Sequence, residues 1–396
     1  MSFTHTQLKI AIVGAGLGGL ALARTLQQND IQCTVYELET SPNARVQGGS
    51  LDMNPKTGQT ALRTNGIWEK LGKDIRFEGD STLILDKHGK VWIDEKAENT
   101  AQENLRPEID RGVMRQLYLD SLQPGTIRWG SKVSSIETHG SQHTLIFADG
   151  AKETFDFVVG ADGAWSKIRT LLTDVKPTYA GIVMVEARLH NVDGDHPTSS
   201  KLVGLGSMLA VSDNKGLMAQ RDGENTIRNY ITLRIPENSL PEKEFQQEDS
   251  AKEYLVGQFP DWSEDLRNLI RDAQGIIPRY IYAFDPEHSW TSVPGCTLVG
   301  DAAHLMSPFA GEGANLALID GVDLGQAIVK VVKNGEKLAS TQKAFEEAML
   351  ARSQEAAFKS AMSLQYMIAE DTPRSAMALF AEFMPEEAMK IGEQDV

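Results

Sequence analysis

Cysteine is almost absent: Cys33 and Cys296 are the only two in 396 residues. Each sits inside an apolar, β-rich run, CTVYEL or CTLVGD. They read as buried thiols acting as small apolar residues, which excludes a disulfide framework and fits a reducing compartment. Basic residues are also in deficit, 39 against 55 acidic, for a formal net charge of -16. A surface of that sign repels phosphate backbones and anionic headgroups, so neither nucleic acid nor stable membrane association is expected. Long apolar runs are missing as well. The stretch Ile10 to Ala23 is too short and too rich in glycine to span a bilayer, and no basic n-region or cleavage site precedes it. The expected location is cytoplasmic, and the expected state monomeric. Low-complexity tracts and internal repeats are lacking too. What remains is an ordinary globular composition, 41% hydrophobic and 24% charged. A chain of this length exceeds what one core fills, which points to a cofactor domain joined to a substrate domain.

The first unit is legible at residues 8–39. LKIAIV is β-rich, GAGLGG breaks it, LALARTLQQND has helical periodicity, and IQCTVYEL resumes a β-rich run. A polar, glycine-rich loop ARVQGGSLDMNPKTG follows, and then the helical stretch GQTALRTNGIWEKLG. Thr82 to Asp94 reads as a hairpin turning at Lys87, His88 and Gly89. Residues 109–122 read as a helix capped by Asp110, with Val113, Leu117 and Leu122 on one side. Three β-rich runs between 126 and 163 suggest an antiparallel meander feeding a core strand. A second sheet is expected between about 180 and 235, followed by two short helices, the strand CTLVGD and two long helices.

Gly14-Ala15-Gly16-Leu17-Gly18-Gly19 satisfies G-x-G-x-x-G between a strand and a helix. Without side chains the turn can be tight and a pyrophosphate can approach the backbone, where the helix N-terminus offers amide donors and the positive end of its dipole. Glu37, followed by Leu38, ends the second strand about 20 residues on, where a carboxylate can accept from ribose hydroxyls. This pattern alone does not separate NAD from FAD. Two later segments bear on the choice: Asp162-Gly163-Ala164-Trp165-Ser166-Lys167-Ile168-Arg169 and Gly300-Asp301-Ala302-Ala303-His304 each put an acidic residue at the C-terminal end of a sheet strand, the edge where open α/β sheets bind ligands.

Three such blocks in this order resemble the FAD-binding hydroxylases, the class A flavoprotein monooxygenases typified by para-hydroxybenzoate hydroxylase. The similarity runs to about residue 330. ARVQGGSLDM, PEIDRGVMR and GDAAHLMSPFAGEGAN are most similar to the tetracycline-inactivating flavin monooxygenases. The resemblance implies an α/β fold: a Rossmann-type FAD-binding domain, a β-sheet substrate-binding domain and a long C-terminal bracing helix. The expected FAD-binding domain is discontinuous, 1–72, 106–173 and 277–335. The substrate domain would take 73–105 and 174–276, and a helical segment 336–396. It implies non-covalent FAD, NADPH or NADH as co-substrate, O2, and hydroxylation of a small aromatic, polycyclic or enolic compound through a flavin hydroperoxide. By the same resemblance Arg45 would contact the nicotinamide dinucleotide, and Asp52 and Arg111 would contact FAD, with Arg115 one helical turn further on. Asp301 would accept from the ribityl chain. Gly311, Glu312, Gly313, Ala314 and Asn315 would open a helix aimed at the flavin pyrimidine, where amide donors stabilise negative charge. Glu312 is awkward there: its carboxylate must point away or be paired. Asp162 and Arg169 belong to a block the family associates with both cofactors, and a buried Asp–Arg pair organising the strand end accounts for them equally.

The residues facing substrate in the tetracycline-inactivating enzymes, a Gln and an Arg, correspond here to Glu186 and Met208. A carboxylate and a thioether do not reproduce that hydrogen bonding, so the substrate can be a tetracycline-like molecule or another polycyclic or phenolic compound. His304 reads as a hydrogen-bonded structural residue rather than a catalytic base, so no catalytic side chain is assigned. HNVDGDH, with His190, Asp193, Asp195 and His196, reads as a hairpin turn rather than a metal site, and no metal is expected. Phe345, Ala348, Met349, Phe358, Ala361 and Met362 form a helical stripe expected to face the core. A flavin oxidase, halogenase or reductase, and a non-catalytic flavin sensor, remain as alternatives. No W-x-W-x-I-P segment of the halogenase kind occurs.

Overall fold

The computed structural model describes residues 8–44, 48–96 and 104–381. Its centre is a five-stranded parallel sheet in the order 296–298, 157–160, 10–13, 33–36, 127–128. The strands Ile10–Val13 and Phe157–Gly160 are buried on both faces, as parallel strands covered by helices are. Helix Leu17–Gln28 crosses helix Gly313–Asn334 against this sheet. Glycine permits the crossing: a methyl group added at Gly18 would stand 2.8 Å from the Ala317 carbonyl, and one at Gly321 would run into the Gly18 carbonyl. The meander Val133–His139, Gln142–Phe147 and Lys152–Phe155 flanks the sheet as expected.

A seven-stranded sheet is ordered 274–283, 178–189, 226–233, 215–222, 207–212, 82–85, 91–95. The strand Gln274–Ala283, which an expected boundary at 277 divides, lies wholly in it. Period-two alternation gives the sheet two faces. Val183, Val185, Ala187 and Leu189 pack outward with Phe259, Trp262, Leu266 and Leu269 of the helical segment that covers that face. The inner face is divided. Ile182, Met184 and Val211 join Leu364, Met367 and Ile368 at the end of helix Leu338–Met367, with Ala376 and Leu379 of helix Arg374–Ala381. Farther along, the same face carries Glu186, Arg188, Gln220, Asp222 and Arg228. Arg228 lies beside the Gly48–Gly49 loop, and Gln220 reaches across to Glu108.

Several local expectations change. Residues 55–71 break into a π turn (Pro55–Gln59) and two short helices, Thr60–Thr64 and Trp68–Leu71, because Gly66 takes φ +64° between them. Asp110 precedes helix Arg111–Ser121 but does not cap it. Its carboxylate takes Arg76 instead, and the fully buried face is Met114, Arg115 and Tyr118 rather than Val113, Leu117 and Leu122. HNVDGDH is no hairpin turn: Val192–Asp195 and Pro197–Val203 are helical, and Asp193 holds Arg221 and Ser200. On Leu338–Met367 the buried stripe is Phe345, Met349, Ser353, Ala356, Ser360 and Leu364. Ala348, Phe358, Ala361 and Met362 face outward, contrary to the expected stripe, because small residues are needed where Ser360 bonds Ser307. Among the described residues no helix is long and apolar enough to cross a membrane.

Candidate functional site

The carboxyl ends of three parallel strands deliver the glycine turn, the Asp162 loop and the Asp301 turn to one edge. Gly14 takes φ +108°, and a side chain there would strike the Ala161 carbonyl, so the turn and the Asp162 loop meet backbone to backbone. Ala15 N–H donates to Glu37 Oε2 at 2.6 Å, and Glu39 N–H donates to Glu37 Oε1 at 2.9 Å. Gly16 differs from its neighbours: it begins the first helix in an extended conformation, and a methyl group added to it would meet nothing within 4 Å. Leu17 and Gly18 are buried beneath it, Gly19 packs on Gly14, and Leu38 is 61% exposed beyond the strand end. Arg115 braces this turn from below. Its buried guanidinium donates to the carbonyls of Ala15 and Pro42 and pairs with Glu39 at 3.3 Å, so it is no solvated charge.

Asp162 does not pair with Arg169. Its carboxylate accepts from Ser166 Oγ at 2.5 Å and Lys167 N–H at 2.7 Å, closing its own loop, and burial pushes its pKa up against those bonds. The Arg169 guanidinium donates to the carbonyls of Ala302 and Ala164 instead, tying this loop to the Asp301 turn. Asp301 is exposed, with no hydrogen-bond partner among the described residues. His304 is buried, its Nε2 2.6 Å from Asp320 Oδ2. Burial opposes charge on the imidazole, but the Asp320 carboxylate outweighs it and raises its pKa. This is the structural histidine expected.

Gly311 and Glu312 precede the helix that Gly313 opens, and the first intrahelical bond joins Leu316 N–H to the Glu312 carbonyl, which leaves the N–H groups of Gly313 and Ala314 pointing out of the helix start. Asn315 is buried and spends its whole amide on backbone, accepting from Asn54 N–H and donating to the carbonyls of Asp52 and Gly311. It staples the Asp52 strand to the helix. Glu312 is paired, as its position demands: Arg106 lies 3.1 Å away and Asn54 Nδ2 3.0 Å. Arg106 also holds Asp52 at 2.6 Å, whose pKa is raised by burial and by the Glu312 charge. Arg106 escaped the sequence reading. That Glu312 must point away or be paired was visible, but the contact spans a chain separation that no local pattern records. Arg111 donates its backbone N–H to the Gly49 carbonyl. Arg45 lies outside the described residues.

Of the two substrate assignments, Met208 is not brought to the site. It is fully buried in the outer core with Val185, Ala219 and Ile231, because the pleat turns its side chain away from the inner face. Glu186 is on the inner face but occupied: Arg188, Arg228 and Arg279 all bind its carboxylate. Burial opposes its charge, yet these guanidinium bonds hold its pKa down. The residue presented there is Tyr230. Its hydroxyl has no hydrogen-bond partner among the described residues and would stand 3.4 Å from a methyl group added at Gly49. Met218 is its neighbour on the next strand, and with Leu209, Ile281 and Phe309, the last in the turn just before Gly311, it packs against the core of Ile182, Met184 and Val211. Below, strand Glu108–Asp110 pairs with Ser50–Asp52 as a two-stranded ribbon, and Glu108 ties it to the seven-stranded sheet, accepting from Ser50 Oγ at 2.5 Å and Gln220 Nε2 at 2.6 Å. Burial, reinforced by the Asp52 charge, pushes it up to about 8.

The arrangement fits a flavin dinucleotide: a glycine with free space at a helix start, an unpartnered carboxylate at a strand end two strands away, and a second helix start beside it. A model of the FAD binding domain family matches residues 7–258 and 293–358. Monooxygenase asqM of Emericella nidulans is 31% identical over 386 residues, 83% of this chain and 85% of that protein. The crystal structure of Klebsiella pneumoniae HpxO complexed with FAD and uric acid superimposes with a TM-score of 0.80 at 20% identity, covering 96% of this chain and 94% of that one. Tetracycline destructase Tet(51) does so at 0.69 and 19%, covering 98% and 99%. The family match takes in well over half of the residues, so the chain belongs to the FAD binding domain family and is an FAD-dependent monooxygenase of the aromatic-hydroxylase type.

Proposed function

We propose that the chain uses NADPH or NADH and O2 to hydroxylate a small electron-rich aromatic, polycyclic or enolic molecule held between the seven-stranded sheet and FAD. Bound FAD supplies hydride acceptance and oxygen activation, and the protein binds, orients and excludes water. The amides opening helix Leu17–Gln28 at Gly16 receive the pyrophosphate, Glu37 the ribose hydroxyls, and Asp301 the ribityl chain. The amides of Gly313 and Ala314 lie along the pyrimidine edge, where a helix start favours negative charge. Arg106 neutralises Asp52 and Glu312 so that neither opposes that charge.

The observation that carries the substrate class is Tyr230. An unpartnered phenol beside Met218, on an apolar cluster that also holds Leu209 and Phe309, suits a flat, mostly apolar molecule bearing one hydroxyl or enol for it to orient. Neither Glu186, saturated by arginines, nor Met208, facing the outer core, contributes a ligand contact.

The test uses protein loaded with FAD, NADPH or NADH, and a panel of phenols, enolic compounds and a tetracycline. The expected result is faster nucleotide oxidation with at least one compound, which gains the mass of one oxygen atom. Nucleotide oxidation that yields only hydrogen peroxide with every compound would replace this reading by a flavin oxidase or reductase. FAD binding without any nucleotide oxidation would replace it by a sensor.

A further inference from the structure

Asp320, on helix Gly313–Asn334, is fully buried and uses both oxygens. Oδ2 accepts from Gly300 N–H at 3.1 Å and lies 2.6 Å from His304 Nε2, so one carboxylate oxygen spans both ends of the turn that carries Asp301. Oδ1 accepts from Arg352 Nη2 at 3.0 Å, and Arg352 Nη1 reaches Asp323, one turn further along, at 2.9 Å. Burial works against the Asp320 charge, but His304 and Arg352 outweigh it and hold its pKa down. The turn has little other freedom. Gly300 takes φ +61°, and a methyl group there would stand 2.9 Å from Ala317 Cβ.

Arg352 belongs to the long helix Leu338–Met367, whose far end is anchored differently. There Arg234, from the end of the seven-stranded sheet, donates to the carbonyls of Ile368 at 2.7 Å and Leu364 at 3.2 Å. The two anchors lie ~20 Å apart along the helix at 1.5 Å per residue. The helix is therefore a strut with its C-terminal end on the substrate sheet and its middle on the Asp301 turn.

We infer that Arg352 is a positioning residue for FAD: acting through Asp320, it sets the placement of Asp301, so a single side chain of the C-terminal helix governs cofactor affinity. Without the guanidinium, Asp320 keeps one cationic partner instead of two and no longer spans the turn in a fixed orientation. A fork that binds two carboxylates at once is not reproduced by an ammonium. This inference rests on the reading that Asp301 holds FAD.

The experiment titrates FAD into the apoprotein of the parent and of Arg352→Met, Arg352→Lys, Arg234→Met and Asp301→Ala, recording affinity, the visible circular dichroism of the bound flavin, and the melting temperature of the apoprotein. Arg352→Met is expected to weaken FAD at least tenfold and alter the flavin dichroism, and Arg352→Lys to weaken it about threefold. Arg234→Met should lower the melting temperature while leaving FAD affinity within twofold. If Arg352→Met stays within twofold of the parent while Asp301→Ala loses FAD, the inference is overturned and the Asp301 reading stands. If Asp301→Ala also binds normally, the Asp301 reading itself fails and takes the inference with it. Should Arg352→Met not fold, Arg352→Lys decides: an affinity equal to the parent's overturns the inference. A loss of affinity in Arg234→Met equal to that in Arg352→Met also overturns it, since any loosening of the helix would then suffice.

Discussion

Gly16→Ala separates folding from cofactor binding at a single methyl group. In the folded chain Gly16 is extended, φ -77° and ψ 176°, which any residue adopts, and the added methyl group meets no protein atom within 4 Å. Alanine is a poorer residue than glycine at a helix start, but it also lowers the entropy of the unfolded chain. These effects oppose each other, each amounting to ~1 kcal/mol or less, so stability should barely change. Binding should change a great deal, because the methyl group enters the space through which a pyrophosphate approaches the amides. A hydrogen bond to a charged group contributes ~1.5–3 kcal/mol, and tenfold in affinity is ~1.4 kcal/mol, so losing one such bond weakens FAD ~10- to 100-fold. The assay is flavin fluorescence during titration of the apoprotein, alongside a thermal melt. Gly19→Ala is the contrast. Its methyl group would run into the Gly14 carbonyl and stand 3.2 Å from Ala161 Cβ, so it should cost ~1–3 kcal/mol of stability or prevent folding. Undiminished FAD affinity in a folded Gly16→Ala protein would refute the placement of the pyrophosphate.

Four further outcomes follow from the same geometry. Glu108 is held up to about 8 in the fold against an ordinary 4.5, so the folded state keeps a proton that the unfolded state gives up, and this carboxyl lowers stability as pH rises between those values. Glu108→Gln should flatten the fall in melting temperature over that window, and an unchanged pH profile would refute the assignment. Arg106→Ala leaves Asp52 and Glu312 facing each other unpaired and should destabilise by ~1–3 kcal/mol in a urea titration, with part recovered when Glu312→Gln is added. Met208→Ala should cost ~2–5 kcal/mol in the same assay as a core cavity without altering the KM for substrate, whereas Tyr230→Phe should change kcat or KM and leave stability nearly intact. A KM change in Met208→Ala beyond what unfolding accounts for would put its side chain back in the pocket.

The parts of the site that are each written in a short stretch of chain were legible before any fold was known. A glycine turn between a strand and a helix, a Glu at the next strand end, and acidic residues after two further β-rich runs obey short-range rules of backbone geometry, so Gly14, Glu37, Asp162 and Asp301 converge as expected. That Glu312 must either point away or be paired was also legible, since a bare carboxylate at that helix start is unfavourable. Its partner was not, because Arg106 reaches it across the fold.

The facing of individual side chains was less secure. A strand's pleat reverses direction at every residue, so Met208 was assigned to the pocket when register places it in the outer core and leaves Tyr230 at the inner face. On the long helix, apolarity pointed to Phe358 and Met362, but close approach to Ser307 required Ser360 and Ala356 instead. Glu186 looked like a ligand contact until three arginines from three strands proved to surround it. Sequence alone thus determined the dinucleotide turn and the strand-end residues, because these follow from local backbone conformation and hydrophobic period, while the resemblance of three ordered blocks supplied the fold class and FAD. Tertiary structure decided which charges are spent on one another and which polar groups stay free, because electrostatic pairing depends on distances in space that chain separation does not encode.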